Sequence, residues 1–578
     1  MSGYSVCPSD LQRSESTAVV HYRFADDQAV ELEGDAMTAW NFADVYEAVA
    51  ARVPDAPCQI QGDRVITWAQ FDSRTNRLAA DMIEAGLTKQ SKVAAYLYNC
   101  PEYLETYVAA FKGGFAPVNT NYRYGPEEVT YLFDNADAEA VVFHAAFVPL
   151  VDGIRANLPG VRRWYCVADG SHAVPSWAVD YSSVVEGPNP GSTRGPWGRS
   201  PDDLLLLYTG GTTGMPKGVM WRQDDLFNVI GSGGNAVLGI PPAASIDELA
   251  GRLDPSVRNI VLMSACPLMH GTGQFSSLIA LNAGGAVVTL PSRSFDVGEL
   301  LHEVERNRVE ALIIVGQAFA GPILDDLESN PGRYDLSSLR MISSSGVMWS
   351  QENKQGLLKH IPQVVLFDSF GSSEAVGMGG SISSAGAATE TAKFQLGPTC
   401  AVFTEDGRRV TPGSGERGLV AVGGFIPLGY YGDEAKTAQT FRTFEGQRWS
   451  VPGDWAEVLA DGTLVLLGRG SVCINTGGEK VFPEEVEEVL KRHASVRDAV
   501  AVGIPDQRFG ETICAVVEAS PGATPTLDEL NAHVKSSLAP YKAPRHLVVV
   551  DTIGRAPNGK VDYKRLKSVA LERLGVGS

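Results

Sequence analysis

Features typical of several protein classes are missing from this 578-residue sequence. Its eight cysteines are scattered between Cys7 and Cys514 without a CxxC pair or a histidine cluster, which argues against a zinc site and a disulfide framework. No apolar run approaches the roughly 18 residues of a membrane span, and the N-terminus lacks the basic-then-apolar order of a signal peptide. We therefore expect a cytoplasmic protein without a transmembrane segment.

Positive charge is also scarce in this chain. It has 48 Lys and Arg residues against 68 Asp and Glu residues, a formal net charge of -20. A nucleic-acid surface needs clustered basic residues, so we exclude nucleic acid as a partner. The length exceeds that of a single hydrophobic core, which predicts two or more domains. The sequence leaves open whether the chain is a monomer or a homodimer.

Strand-like apolar runs alternate with helical patterns through most of the chain. "SKVAAYLYN" precedes "PEYLETYVAAFKGG", and "VGELLHEVERNRV" precedes "EALIIVG". This alternation predicts an α/β fold, a large layered α/β domain with largely parallel strands. From about residue 395, short strands and DG turns predict a β-rich subdomain. The last hundred or so residues, with a proline-opened acidic helix and a strand in "VFPEEVEEVLKRHASVRDAVAVGIPD", predict a small α+β domain.

A glycine- and threonine-rich loop, "YTGGTTGMPKGV" at 208–219, follows a run of four leucines. Glycines let backbone N–H groups approach phosphate oxygens, hydroxyls add donors, and Lys217 adds a positive charge. The predicted contacts are Thr209, Gly210, Gly211, Thr212, Thr213 and Gly214. The spacing is not that of a P-loop kinase, because proline and glycine flank the lysine. Taken alone, the segment fits a flexible surface loop beside a strand equally well.

Polar residues in two later segments suit nucleotide chemistry. In "DSFGSSE" (368–374), Glu374 offers the hard oxygen that Mg2+ prefers, Phe370 could stack on adenine, and Asp368 could accept its amino hydrogens. In "PGDWAEV" (452–458), the two oxygens of Asp454 could accept both ribose hydroxyls. Taken alone, these positions also fit a solvated glutamate and a turn-forming aspartate.

Together with "LGRGSVCINTGGEKVFPEEVE" (467–487) and "APNGKVDY" (556–563), these segments resemble the adenylate-forming superfamily of acyl-CoA synthetases, luciferases and peptide-synthetase adenylation domains. All five occur in the family's order along nearly the whole chain. The resemblance implies ATP, Mg2+ and coenzyme A as cofactors and co-substrates. The implied domains are an N-terminal extension at 1–40, an adenylation domain at 41–468, a hinge at 469–471 and a mobile C-terminal domain at 472–578.

The resemblance also assigns roles near the C-terminus. Arg469 would contact ribose or phosphate, and Lys560 would neutralise carboxylate and phosphate charge during attack. Rotation about Ser471 would then remove Lys560 and bring Gly477 and Gly478 to line the tunnel for the pantetheine arm of CoA. The other implied nucleotide contacts are Ser345, Gly346, Ser369 and Ser373. Relatives often have Tyr, Thr and Asp or Lys where this chain has Phe370, Ser373 and Ser471.

Three segments are expected to line the acid pocket: "CPLMHGTGQFSS" with His270 and Gly271, "VGQAFAGPIL" with Gln317, and "SSSGVMWS". A lone histidine is commonly structural, and His270 as a gate is weighed against that alternative. The residues of the motifs resemble most closely those of actinobacterial synthetases for fatty acids and steroid side-chain carboxylates. Gln317 departs from them, since an acidic residue is usual there.

The sequence therefore predicts an AMP-forming acyl-CoA synthetase for a hydrophobic carboxylic acid, a long-chain fatty acid or a steroid side-chain acid. The predicted catalytic residues are Lys217, Glu374 and Lys560, with Glu374 as the metal ligand. Two alternatives stay open: an acyl-AMP ligase that feeds a carrier protein, and a non-catalytic nucleotide-binding relative. The retained charges argue against the second, because a dead site would be expected to lose some of them.

Overall fold

A computed structural model of the protein describes most of the chain outside the N-terminal extension. The described residues are 39–209, 215–235, 237, 239–347, 349–387, 389–469, 472, 474–476, 479–506, 510–538, 540–556 and 561–576, without the side chains of Arg469, Asn475, Glu479, Lys480 and Gly510. Within these residues, no helix combines the length and apolar character that a membrane crossing requires.

The elements follow one another in mixed α/β order. The helices of the described residues are α1 (Phe42–Arg52), α2 (Trp68–Glu84), α3 (Pro101–Gly113), α4 (Pro126–Asn135), α5 (Val148–Ile154), α6 (Tyr181–Val185), α7 (Gln223–Val229), α8 (Ile246–Gly251), α9 (Gly271–Asn282), α10 (Val297–Arg306), α11 (Gln317–Ser329), α12 (Gln351–His360), α13 (Glu434–Thr440), α14 (Pro483–Lys491), α15 (Leu527–Ser537) and α16 (Tyr563–Leu574). The strands are β1 (Pro57–Gln61), β2 (Arg64–Thr67), β3 (Lys92–Tyr96), β4 (Ala116–Asn119), β5 (Ala138–His144), β6 (Arg163–Val167), β7 (Val179–Asp180), β8 (Leu204–Thr209), β9 (Lys217–Arg222), β10 (Val261–Ser264), β11 (Ala286–Val288), β12 (Ala311–Ile314), β13 (Met341–Ser345), β14 (Val365–Ser372), β15 (Ala375–Ser383), β16 (Lys393–Leu396), β17 (Cys400–Phe403), β18 (Arg417–Val422), β19 (Gly429–Tyr430), β20 (Phe441–Phe444), β21 (Gln447–Ser450), β22 (Asp454–Val458), β23 (Thr463–Arg469), β24 (Ile474–Thr476), β25 (Glu479–Val481), β26 (Val496–Asp506), β27 (Gly510–Ala519) and β28 (His546–Val550).

The largest sheet has 15 strands in the order β2-β1-β11-β10-β12-β13-β14-β15-β16-β23-β22-β18-β21-β20, with β17 on β18. Strands β1, β11, β10, β12, β13 and β14 pair in parallel, whereas the pairings from β14 to β15 and beyond are antiparallel. The predicted parallel α/β layer and the predicted β-rich part are both confirmed. The parallel layer and the β-rich part form one sheet, because the β-rich strands are hydrogen-bonded onto the edge of the parallel strands.

A second sheet has eight strands in the order β19-β9-β8-β4-β3-β5-β6-β7, and β4 through β6 pair in parallel. The C-terminal residues form a separate five-stranded sheet, β25-β24-β27-β26 with β28 on β27, packed against helices. This small α+β unit has the predicted proline-opened helix, α14, followed by strand β26. The predicted fold class is therefore confirmed.

Helix α3 is buried along its whole length, although its sequence includes charged residues. Glu105 accepts two hydrogen bonds from Arg74, at 2.6 and 3.0 Å, and Lys112 donates to Asp72 at 2.5 Å. Burying a charge is costly unless it is paired, so these partners allow a charged helix to sit inside the core.

The hairpin of β22 and β23 shows how local sequence sets the β-rich part. The side chain of Asp461 accepts from the backbone N–H of Thr463 at 2.9 Å, and Gly462 has a φ of +83°. Glycine adopts that left-handed conformation without a Cβ penalty. The predicted DG turn is confirmed. The register that it starts shifts by one residue between Trp455 and Ala456, and beyond this shift Asp454 lies opposite Arg469.

Candidate active site

The predicted phosphate loop connects two neighbouring antiparallel strands. Thr209 ends β8, Lys217 begins β9, and these two residues are paired in the sheet. The loop residues between them, from Gly210 to Gly214, lie outside the described residues. The buried apolar strand expected before the loop is confirmed as β8.

Lys217 contacts a segment that the sequence reasoning did not single out. Its Nζ donates to Oδ2 of Asp433 at 2.9 Å, and it lies 5.7 Å from the ring centroid of Tyr430. Pairing of β9 with β19 places Tyr430 opposite Val219. Strand β9 therefore fixes the lysine next to the turn that follows β19.

Glu374, between β14 and β15 of the largest sheet, also contacts Tyr430. The hydroxyl of Tyr430 donates to Oε1 of Glu374 at 2.7 Å, and the hydroxyl of Ser450 donates to its backbone carbonyl at 2.6 Å. The indole N–H of Trp221 on β9 donates to the carbonyl of Ser373 at 3.0 Å. The structure thus brings both the predicted lysine and the predicted metal carboxylate next to one tyrosine, Tyr430.

Asp368 is buried in an ion pair. Its Oδ2 lies 3.0 Å from Nζ of Lys354, and the two side chains are 8% and 1% exposed. Burial raises the pKa of the Asp368 carboxyl, and the neighbouring Lys354 ammonium opposes that shift. Lys354 also lies 5.7 Å from the ring centroid of Trp349. Asp368 is predicted to contact adenine, and in the structure it already has Lys354 as a cationic partner.

The remaining predicted nucleotide residues lie on strands of the largest sheet. Ser345 at the end of β13 is paired with Ser369 on β14. Phe370 stacks on Phe394, with ring centroids 5.4 Å apart. Asp454 is 5% exposed at the start of β22. Their roles in nucleotide binding stay predictions.

His270 is the N-cap residue of α9, next to the strand that leads to the phosphate loop, and its side chain makes no capping hydrogen bond. The amide of Asn119 donates to the carbonyl of Tyr208 at 2.8 Å and to that of Met269 at 2.7 Å. A Cβ on Gly271 would lie 3.3 Å from the side chain of Leu207 on β8. The buried Asn119 therefore connects the second sheet to the loop between β10 and α9, beside the predicted gate.

The three segments predicted to line an acid pocket meet at the carboxyl ends of β10, β12 and β13. A Cβ on Gly346 would lie 3.9 Å from both Thr272 and Val315, one from each of the other two segments. The backbone N–H of Gly316 donates to the hydroxyl of Ser344 at 2.8 Å. The carboxyl ends of parallel strands are the usual place for a ligand in such a sheet. Gln317 begins α11 and is exposed.

Several predicted residues cannot be placed. Ser471, Gly477, Gly478 and Lys560 lie outside the described residues, and the side chain of Arg469 is not described. The proposed hinge, the CoA tunnel and the C-terminal lysine therefore stay predictions.

Sequence reasoning missed Tyr430, Asp433, Lys354 and Asn119. The segment "GYYGDEAKT" has one local signal, since Asp433 precedes a helix and its Oδ1 accepts from the N–H of Lys436 at 2.9 Å as an N-cap. That signal predicts a cap but not the lysine that its other oxygen binds.

Comparison with known families gives two matches that together span most of the chain. The family described as "AMP-binding enzyme" matches residues 46–431, and "AMP-binding enzyme C-terminal domain" matches residues 485–560. Segments 208–219 and 368–374 fall inside the first match, and 452–458 lies between the two. Segment 467–487 extends into the start of the second match, and 556–563 extends past its end.

Two actinobacterial proteins are similar over nearly their whole length. A medium/long-chain-fatty-acid–CoA/3-oxocholest-4-en-26-oate–CoA ligase of Mycolicibacterium smegmatis is 41% identical over 93% of this chain and 97% of its own. A 3-oxocholest-4-en-26-oate–CoA ligase of Rhodococcus rhodochrous is 41% identical over 92% of this chain and 96% of its own. The predicted likeness to fatty-acid and steroid-acid synthetases is confirmed.

Solved structures agree on the fold. The anthranilate CoA ligase AuaEII in complex with anthranoyl-AMP has a TM-score of 0.78 at 20% identity, covering 93% of this chain and 100% of its own. ATP-bound MatB from Rhodopseudomonas palustris has a TM-score of 0.75 at 23% identity, covering 92% and 99%. At 20% and 23% identity, this structural similarity shows a shared fold and nothing about substrate or activity.

Proposed function

This chain belongs to the AMP-binding enzyme family and is an acid–thiol ligase, and we propose that it converts a hydrophobic carboxylic acid into its CoA thioester through an acyl-AMP. The proposed acid is a long-chain fatty acid or a steroid side-chain acid. ATP and coenzyme A are the co-substrates. The substrate class rests on the names of the two similar ligases.

The observation that carries the nucleotide chemistry is the convergence of Lys217 and Glu374 on Tyr430. These residues come from motifs far apart in the chain, and one provides a cation while the other provides a carboxylate. A cation aimed at phosphate oxygens and a carboxylate for a metal are the two charges that phosphoryl chemistry needs.

The reaction divides into two displacements. In the first, a carboxylate oxygen of the acid attacks the α-phosphorus of ATP, and the bond from that phosphorus to pyrophosphate breaks. In the second, the CoA sulfur attacks the acyl carbon, and AMP leaves with the original carboxylate oxygen. The protein contributes mainly positioning and charge stabilisation, with Lys217 on the phosphates and Lys560 on the attacking acid.

Glu374 is the residue that would hold Mg2+. Its side chain is half-buried, Oε1 accepts from Tyr430, and Oε2 makes no hydrogen bond to any residue that the structure describes. A single hard oxygen suits Mg2+, which commonly binds one or two carboxylates together with nucleotide phosphates and water. Bound there, the ion would neutralise negative charge on the phosphates.

We also propose a cytoplasmic location. The cysteines that the structure describes, which are Cys58, Cys100, Cys166, Cys266, Cys400 and Cys514, are buried free thiols. Free thiols are the normal state in a reducing cytosol.

The test is AMP release from ATP, with and without CoA, across short, medium and long fatty acids, aromatic acids and steroid side-chain acids. We expect CoA-dependent AMP formation with the long-chain or steroid acids. Pyrophosphate release that is indifferent to CoA would favour an acyl-AMP ligase that feeds a carrier protein. No turnover across the panel would favour the non-catalytic alternative and would contradict the proposal.

A further inference from the structure

The turn formed by residues 430–433 contacts two charged side chains of the proposed site, Glu374 and Lys217. Tyr430 at its start donates to Glu374 at 2.7 Å, and Asp433 at its end binds Lys217 at 2.9 Å. The sequence motifs assign no function to this turn.

The carboxylate of Asp433 has two distinct contacts. Its Oδ1 accepts from the N–H of Lys436 and caps α13, while Oδ2 accepts from Lys217. The hydrogen bond from Lys217 lowers the pKa of the Asp433 carboxyl, which favours its charged form. Both side chains are 35% exposed. Ion pairs at this exposure are weak, so a phosphate with more negative charge can replace the carboxylate.

Tyr430 is more deeply buried than the side chain of Lys217. Its backbone pairs with Val219 in the sheet, and its N–H donates to the hydroxyl of Thr437 at 2.9 Å. The residue itself is 6% exposed. With its backbone fixed, the phenol holds Oε1 of Glu374 in one direction, which orients Oε2 as well.

We propose that the turn at 430–433 prepares the nucleotide site: Asp433 is the resting partner of Lys217 that a nucleotide phosphate displaces, and Tyr430 positions the Glu374 carboxylate for Mg2+. The inference rests on the proposed function, because it assumes that ATP and Mg2+ bind here. Asp433 and Tyr430 are positioning residues, since each acts through another side chain.

The first test is calorimetric titration of the full chain with Mg-ATP. In Asp433→Asn and Asp433→Ser, the new side chain can still cap α13 but has no charge. Lys217 then has no competing anion, and we expect Mg-ATP affinity to rise about two- to fivefold, the range of a partly exposed ion pair. The control is Asp296→Asn, because Asp296 caps α10 through Oδ1 in the same way.

The second test is the Mg2+ concentration that half-saturates ATP binding. Tyr430→Phe removes a hydrogen bond to a charged carboxylate, and we expect that concentration to rise about tenfold. Tyr431→Phe is the matched control, since the hydroxyl of Tyr431 donates to Asp137 at 2.7 Å, away from Glu374.

The outcomes separate this inference from the function on which it rests. If the unsubstituted chain does not bind Mg-ATP, the proposed function fails. If it binds, but both Asp433 variants bind with unchanged or lower affinity, the displacement by phosphate is wrong. An equal Mg2+ response in Tyr430→Phe and Tyr431→Phe would overturn the role of Tyr430. Thermal midpoints of all variants show whether a change in binding reflects a loss of folding.

Discussion

Lys354 and Asp368 form a deeply buried ion pair among the described residues of the proposed nucleotide site. Two charges in the interior lose much of their hydration, and only their attraction and further hydrogen bonds offset that loss. The ammonium of Lys354 lies 3.0 Å from the Asp368 carboxylate and donates a hydrogen bond to the hydroxyl of Thr389 at 3.4 Å. The pair therefore gives a buried cationic partner to the carboxyl that is predicted to bind adenine.

Lys354→Met should destabilise the protein by about 3–5 kcal/mol, because it leaves the Asp368 carboxylate buried without its cation. The free energy of unfolding in urea measures this. Lys359→Met is the control, since Lys359 is exposed on the same helix, α12, and its loss should change stability by less than about 0.5 kcal/mol.

The destabilisation by Lys354→Met should shrink as the pH falls. Burial raises the pKa of Asp368 above its ordinary 3.8, and loss of the lysine raises it further. Between 3.8 and the raised value, the folded chain binds a proton that the unfolded chain does not, so stability rises as the pH is lowered through that window. A destabilisation that stays constant from neutral pH down to 3.8 would contradict the assignment.

Among the elements, the carboxyl ends of β12 and β13 shape the proposed acid pocket. Gly346 follows β13 with a φ of +89°, a backbone conformation that residues other than glycine rarely adopt. Its missing side chain leaves room between Thr272 and Val315. The sheet thus sets both the position of the pocket and the space inside it.

Gly346→Ala should lower kcat/KM for the acid about tenfold, because the added methyl group enters the space between the pocket walls. Steady-state kinetics with the best acid of the panel measures this. Gly332→Ala separates strain from occupancy: Gly332 has a φ of +75°, but a methyl group added there would meet nothing within 4 Å. Equal losses in both variants would mean that backbone strain, and not the pocket, is responsible.

Across the whole molecule, the sequence predicts what depends on local pattern. The alternation of strands and helices predicts the parallel layer, and the Asp461–Gly462 dipeptide predicts the hairpin of β22 and β23. The order of the five motifs predicts the family. Each of these signals lies within a short stretch of chain.

Pairings between distant residues could not be predicted in the same way. Tyr430 reaches Glu374 only because β19 pairs with β9 in one sheet while Glu374 follows β14 in another. Nothing near Lys354 in the sequence indicates that it faces Asp368. Such contacts depend on sheet order and register, which a short sequence pattern does not specify.

Lys560→Ala should separate the two half-reactions. The resemblance places this lysine at the first one, so acyl-AMP formation should fall about 100-fold while thioester formation from supplied acyl-AMP continues. Pyrophosphate release and CoA thioester formation are measured separately. Lys564→Ala, which removes an exposed lysine of α16, should leave both rates unchanged. An equal loss of both half-reactions in Lys560→Ala would contradict the division of labour between the two domain positions.

The most direct test of acyl-AMP chemistry follows the oxygen atoms of the acid. The acid, labelled with the heavy oxygen isotope in its carboxylate, is incubated with ATP and CoA, and the products are analysed by mass spectrometry. If the carboxylate attacks the α-phosphorus and the thiol then displaces AMP, each AMP formed carries one heavy oxygen atom. ADP as the nucleotide product, or AMP without the label, would contradict the account.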